Sequence, residues 1–391
     1  MSTFLGFIEE IPGISVDRFN NKNKESSVFF LSHCHSDHTR GLCYSFWNML
    51  QDRGLFLYCS PISKTILESQ FLDVKGINVI QSLQICDPVI VSYKDSNNAE
   101  FVKVTSIPSG HCPGSVMFLF EKNDQVILYT GDFRICPNDF RNLKPLHDLQ
   151  YVPKKLHKIY LDTTFLNLDF KYFPNRKECA FQICSVLQDW LDENSRNVVV
   201  LECSANYGAE FIFEKIAEKL GKKIHVKDFL YEIYLKMDKF SRYVTNETMT
   251  TPIHACMNKS DRNVLKCRPC SDVKIENIMT VVPSAMIWKG KDLSRIWQWD
   301  QTRDNTLNVC YSTHASYEEL VAFLKYFKPD EVYPCVCKKE QRLEMYHLLR
   351  EIAKESEQKK DDKKEYVLSK SLQERSDLNS FKSKHFSDQE D

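Results

Sequence analysis

The densest chemistry in the chain lies in Ser32-His33-Cys34-His35-Ser36-Asp37-His38. Imidazoles, a thiol and a carboxylate crowd into one short stretch. Side chains alternate along an extended backbone, so His33 and His35 point to one side and can grip a single ion. Asp37 and His38 follow a turn later and can face a second ion beside the first. Imidazole combined with carboxylate suits zinc or a similar divalent cation. The chemistry such a set serves is metal-assisted hydrolysis.

Two further ligand types stand where predicted strands end. Ser109-Gly110-His111-Cys112-Pro113-Gly114-Ser115 forms a loop between two strands, and Thr130-Gly131-Asp132-Phe133 closes another. They add an imidazole and a carboxylate able to bridge two metals. Lys158 to Leu161 is predicted as a strand delivering Asp162. Asn308 to His314 is predicted as a strand ending in histidine, after which Ser316 opens a helix as its N-cap, with Glu319 at the capping-box position. A separate constellation pairs His254 and Cys256 with Cys267-Arg268-Pro269-Cys270. Spacing alone selects His254, Cys256, Cys267 and Cys270 as a closed tetrahedral zinc site, which contributes folding energy rather than catalysis.

The elements that must position these groups follow from pattern. Val28 to Leu31 reads as a buried strand feeding the histidine cluster. A helix follows it, between Gly41 and Leu55. Pro61 to Phe71 reads as a helix capped by Ser60. Strands are expected at 55–59, 77–80, 89–93, 101–107, 116–120 and 126–129. From about residue 166 the pattern changes to strand–helix alternation, with helices at 178–191, 208–220 and 229–244 and strands at 197–201, 224–226 and 280–284. That alternation predicts a parallel α/β layer. A strand at 331–337, a helix to about 355 and a charged, disordered tail complete the chain.

With 391 residues there is room for two domains and a sizeable core. The formal net charge of −1 exerts no global pull on nucleic acid, so any such site must be local. Fifteen cysteines, in a chain whose start shows no basic, apolar leader, are expected to be reduced thiols or ligands. No stretch has the apolar length of a membrane span. The expected compartment is cytosol or nucleus.

The order of H-x-H-x-D-H, a lone loop histidine and T-G-D after a strand resembles the metallo-β-lactamase fold, and more closely the DNA-processing branch with a β-CASP insertion. Phe30 to His35, Gly110 to Phe118, Leu128 to Arg134, Tyr160 to Phe165 and Ile14 to Phe19 resemble the Artemis nucleases of double-strand break repair. The resemblance covers about residues 1–350. It implies an α/β fold, a metallo-β-lactamase αββα sandwich with an inserted β-CASP α/β domain. The expected division is 1–165 (first part of the sandwich), 166–304 (insertion), 305–355 (second part) and 356–391 (tail).

The resemblance also implies roles. One metal takes His33, His35, His111 and Asp132; a second takes Asp37, His38, His314 and the shared Asp132. Asp162 supports the metals or handles protons, so Asp37, Asp132, Asp162 and His314 are the catalytic candidates. Zinc is expected at one or both positions, with magnesium or manganese as alternatives at the second. For the structural zinc, the resemblance selects His225, His254, Cys256 and Cys270, leaving Cys267 spare. The implied activity is metal-dependent DNA hydrolysis, 5′-to-3′ on single strands and endonucleolytic at hairpins and overhangs, in end joining within the nucleus. Help from a DNA-dependent protein kinase is implied too, although the short stretch after the core argues against a kinase-docking tail. A monomer is expected. An RNA-processing β-CASP nuclease and a non-catalytic repair scaffold are the competing readings. Ser36, Thr39, Arg40, Ser312 and Ser316 are candidates to hold a neighbouring phosphate. Trp288, Trp297 and Trp299, near Lys289, Lys291 and Arg295, are candidates to stack on unpaired bases. Val282 stands where Artemis proteins can carry a lysine.

Overall fold

The computed structural model describes residues 2–71, 74, 76–95, 98–256, 273–291 and 293–352. Its first layer is a parallel sheet in the order β1 (Ile14–Val16), β2 (Val28–Leu31), β3 (Leu57–Cys59) and β4 (Ile80–Ser82). All three pairings in this sheet are parallel. Parallel neighbours need crossovers, and α1 (Tyr44–Arg53) and α2 (Pro61–Gln70) supply two of them. Ser60 caps α2, its hydroxyl accepting from the Ser63 amide at 3.1 Å. β4 lies further along the chain than the expected 77–80, because register with β3 pairs Leu57 with Ile80.

The second layer runs β5 (Pro88–Asp95), β6 (Asn98–Pro108), β7 (Val116–Lys122), β8 (Gln125–Tyr129) and β9 (Lys158–Leu161), closed by the last strand, β17 (Glu331–Pro334). Alternation along β7 shows how both faces are used. Phe118 and Phe120 join Phe30, Val16 and Tyr129 between the two sheets. Met117 and Leu119 face the other way, into the cluster built by Phe323, Leu324 and Phe327 of α6 (Tyr317–Phe327). Helix, sheet, sheet and helix stack as the predicted αββα sandwich.

Between β9 and α6 the chain builds a second body. After α3 (Arg176–Glu193) come β10 (Val198–Leu201), α4 (Glu210–Leu220), β11 (Ile224–His225), α5 (Asp228–Leu235) and β12 (Val244–Thr245). β13 (Ile253–His254), β14 (Ile278–Pro283), β15 (Trp297–Trp299) and β16 (Thr306–Val309) complete a seven-stranded sheet, parallel except for β15. The expected helix to residue 244 ends at Leu235, because Val244 must pair with Ile224. The strand expected at 308–314 is Thr306–Val309, and it pairs with β14 in this second sheet. Residues 305–309 therefore sit with the inserted layer rather than with the returning sandwich. One apolar cluster joins the bodies, running from Leu57 and Leu67 to Ile183 and Val199. The expected strand through Cys337 ends at Pro334; the final helix, residues 342–352, closes the described chain, and the predicted tail lies outside it.

Candidate metal centre

Most of the site hangs from strand ends. β2 delivers His33 and His35, the 108–116 loop delivers His111, β8 delivers Asp132 and β9 delivers Asp162. Gly131 is required where it stands: its φ is +51°, and a Cβ there would lie 2.8 Å from the Ser32 side chain. His38 follows from a tight turn closed by its amide on the His35 carbonyl at 3.0 Å.

His33, His35, His111 and Asp132 converge, each offering a ligand atom within 4.8 Å of the others. Nε2 of His33 lies 3.1 Å from Nδ1 of His35, and Nε2 of His111 lies 3.0 Å from the same atom. Asp132 Oδ2 is 3.6 Å from both Nε2 atoms. Tetrahedral zinc with nitrogen ligands needs an edge of about 3.3 Å.

The outer nitrogens decide what the inner ones offer. His35 Nε2 donates to the Tyr207 carbonyl at 3.0 Å, and His111 Nδ1 donates to the Thr313 carbonyl at 3.1 Å. Ser32 Oγ spends its proton on Asp17 and so accepts from His33 Nδ1 at 3.0 Å. His38 Nδ1 meets Asp17 at 2.7 Å, and His314 Nδ1 meets Asp162 at 2.8 Å. Each contact fixes a tautomer whose remaining nitrogen faces the centre. His38 Nε2 is buried, and its near neighbours are the Asp132 and Asp37 carboxylates at 3.3 and 3.9 Å, an acceptor-rich position that needs a proton or a metal cation. The donor set fits divalent metal.

The second expected set is looser. His38 Nε2 stands 3.3 Å from Asp132 Oδ1 and 3.9 Å from Asp37 Oδ2, while His314 Nε2 stands 3.9 Å from Asp132 Oδ2. Asp37 is on the more exposed rim, where its Oδ2 accepts from the Ser2 amide at 3.1 Å. His314 sits on a loop, not a strand: the Ser312 hydroxyl accepts from its amide and donates to its carbonyl, and the backbone turns.

Charges follow from these surroundings. Burial, reinforced by neighbouring imidazoles, holds His33 and His111 well below the ordinary imidazole value, and burial lowers His35. Burial also opposes charge on His38 and His314. Asp132 and Asp17 outweigh it at His38, Asp162 and Asp132 at His314, and both are raised. Burial would raise Asp132, but His38 and His314 pull it well below the carboxylate range.

Asp17 is the residue that sequence reasoning passed over. Its carboxylate accepts from the Ser32 amide at 2.7 Å, the Ser32 hydroxyl, His38 and the Tyr129 hydroxyl at 2.8 Å. The signal was a carboxylate directly after an apolar strand that pairs in register with the strand feeding the cluster.

A cavity of about 350 Å³ opens over the centre, lined by His35, His111, Phe165, Tyr207, Pro283 and His314. It lies between the two bodies. Ser312 and Ser316 do not face it with free hydroxyls: Ser312 is spent on His314, and Ser316 caps α6 in a full capping box with Glu319. Trp288 is buried in the core. Trp297 and Trp299 line a separate cavity with Asp189, Glu193, Asp300 and Asp304, where the one basic residue among those described, Arg303, is paired with Glu202, a lining that disfavours phosphate. The stacking expectation finds no support there.

In the second body, His225 and His254 are register partners on β11 and β13, with Nδ1 atoms 3.1 Å apart. Cys256 joins them within 4.8 Å, all three buried. This brings in His225, which spacing alone omitted. Cys267 and Cys270 lie outside the described residues.

A family model described as DNA repair metallo-beta-lactamase matches residues 238–340. The chain is 36% identical over 346 residues to "Protein artemis" of Rattus norvegicus, covering 86% of this chain and 49% of that one. Against "Protein artemis" of Gallus gallus the identity is 36% over 346 residues, covering 86% and 48%. Against "DNA cross-link repair 1A protein" of Mus musculus it is 28% over 340 residues, covering 84% and 31%. The chain spans about half the length of the Artemis relatives it matches.

Proposed function

The chain belongs to the Artemis-like DNA repair metallo-β-lactamase family, and on that premise we propose that it is a metal-dependent nuclease that hydrolyses phosphodiester bonds in DNA. The observation carrying this reading is the convergence of His33, His35, His111 and Asp132, with every outer ring nitrogen already committed.

His33, His35, His111 and Asp132 hold one divalent ion in this reading; Asp37, His38, His314 and Asp132 hold another. Divalent metal bound there would supply an activated water and charge stabilisation for displacement at phosphorus. Asp17 and Asp162 orient His38 and His314. Asp162 also accepts from the Thr164 amide and hydroxyl, at 3.0 and 2.6 Å, which keeps its carboxylate aimed at His314. Phe165 and Tyr207 wall the cavity against water from both bodies.

The finer proposal is 5′-to-3′ trimming of single strands and opening of hairpins and overhangs, in nuclear end joining with a DNA-dependent protein kinase. A structural zinc at His225, His254 and Cys256, with Cys270 as the fourth ligand that the resemblance implies, would staple the second body. Cleavage of matched labelled DNA and RNA, single-stranded and hairpin, tests the reading. Cut DNA supports it; cut RNA alone moves the protein to the RNA-processing branch.

A further inference from the structure

Three hydrogen bonds from one guanidinium cross from the inserted body to the metal centre. Arg176 is the first residue of α3. Its Nη1 donates to the Gly110 carbonyl at 2.7 Å. Its Nε donates to the Ser312 carbonyl at 3.3 Å, and its Nη2 to the Thr313 carbonyl at 3.4 Å. Gly110 immediately precedes His111, and the Thr313 carbonyl is the acceptor that fixes the His111 tautomer. One side chain therefore braces both the peptide that carries His111 and the group that aims its ring.

A second crossing reaches His35. The Tyr207 carbonyl that accepts from His35 Nε2 belongs to the inserted body. It is held on two sides. Glu210 accepts from the next amide, Gly208, at 2.6 Å and from the Tyr234 hydroxyl at 2.7 Å. Gln70 of α2 donates to the Tyr207 hydroxyl at 3.1 Å. Gly208 has φ +116°, which a side chain tolerates poorly even though a Cβ would meet only Thr313, at 3.7 Å.

We infer that the inserted body is part of the first metal site: Arg176 and the Tyr207 peptide are positioning groups that set its metal affinity by holding His111 and His35. This rests on the nuclease reading above. Outer partners of metal-bound histidines are worth about 10- to 100-fold in affinity.

The test is chelator competition for zinc on the purified full chain, comparing wild type, His33→Ala, Arg176→Met and Gly208→Ala. His33→Ala identifies which zinc belongs to the centre. Arg176→Met keeps the aliphatic stem and removes all three donors; it is expected to weaken that zinc about 10- to 100-fold. Zinc lost through Cys256→Ser, measured in parallel, should bind the Arg176→Met chain as tightly as wild type. Gly208→Ala tests the His35 arm should Arg176→Met fold poorly, and it should weaken the same zinc. Added zinc should restore cleavage to Arg176→Met. Equal affinity in wild type, Arg176→Met and Gly208→Ala overturns the inference alone. Weaker DNA binding with unchanged zinc affinity also overturns it, making Arg176 a substrate contact. If wild type and His33→Ala bind zinc identically, the metal-centre reading fails, and the inference with it.

Discussion

Asp17 Oδ2 lies 2.7 Å from His38 Nδ1, with both side chains almost sealed from solvent. The same carboxylate gathers the Ser32 amide and hydroxyl and the Tyr129 hydroxyl. It thereby ties three strands to one ligand's ring orientation. Asp17→Asn offers a donor where only acceptors are wanted. Metal affinity at the His38 position should fall about 10- to 100-fold, with cleavage falling in step and recovering at high metal concentration. Metal titration followed by activity checks this; an unchanged titration curve would remove Asp17 from the site.

The two halves of the centre should respond to pH in opposite ways. His33, His35 and His111 are held below the ordinary imidazole value, so they are neutral at pH 7 and bind metal without releasing protons. His38 and His314 are raised and must give up protons first. Metal at the second position should therefore be lost first as pH falls from 7.5 to 6. In the metal-free protein, the raised His38 and His314 stabilise the fold below their unfolded value near 6.5, and that gain is lost as pH rises through their folded values. The three lowered histidines stabilise above 6.5, and their gain is lost on acidification. Bound metal per chain, measured by elemental analysis across this range, should fall by the second position's ion while the ion at His33, His35 and His111 stays; loss of both together would contradict the assignment.

Cys256→Ser should remove one zinc per chain and lower the melting temperature while leaving the metal at His33 in place. His225, His254 and Cys256 are buried together on strand ends that pair in register. A closed zinc site there contributes folding energy directly. An unchanged zinc count would leave the cluster as ordinary buried side chains.

Arg134 holds the returning segment to the centre. Its guanidinium meets both Glu319 oxygens at 3.1 to 3.2 Å and donates to the carbonyls of Ser312, Phe173 and Pro174. Arg134→Met would leave the mostly buried Glu319 carboxylate without its cation, held only by the Ser316 amide at 2.8 Å. Removing one member of such a pair costs about 3–5 kcal/mol. Urea denaturation reads this directly, and a loss below 1 kcal/mol would show that the pair is solvated.

Much of the site was legible because its ligands stand at strand ends, where apolar runs stop and polar residues begin. Leu31 to His33 and Tyr129 to Asp132 both show that switch. Helix α6 was legible from Ser316 and Glu319, whose capping box is local chemistry. The strand break before His314 was not, because the Ser312 hydroxyl turns the backbone there while Cys310 and Tyr311 still read as strand. Parallel pairing in the first sheet was hidden for a similar reason: short strands of three or four residues carry no direction in their composition. The spacing reading of the second cluster omitted His225, which reaches His254 only through pairing of β11 with β13. Asp17 and Arg176 act through the backbone and side chains of other segments, and no spacing rule exposes that.

The most direct test of the central claim is cleavage of labelled single-stranded and hairpin DNA, beside matched RNA, by wild type and by Asp37→Asn. Asp37 lies on the rim of the centre, and its Oδ2 stands 3.9 Å from His38 Nε2. The substitution should therefore abolish cleavage while circular dichroism and the zinc at Cys256 stay as in wild type. DNA cleavage that depends on Asp37 is the predicted result. Full cleavage by Asp37→Asn would contradict the two-metal centre.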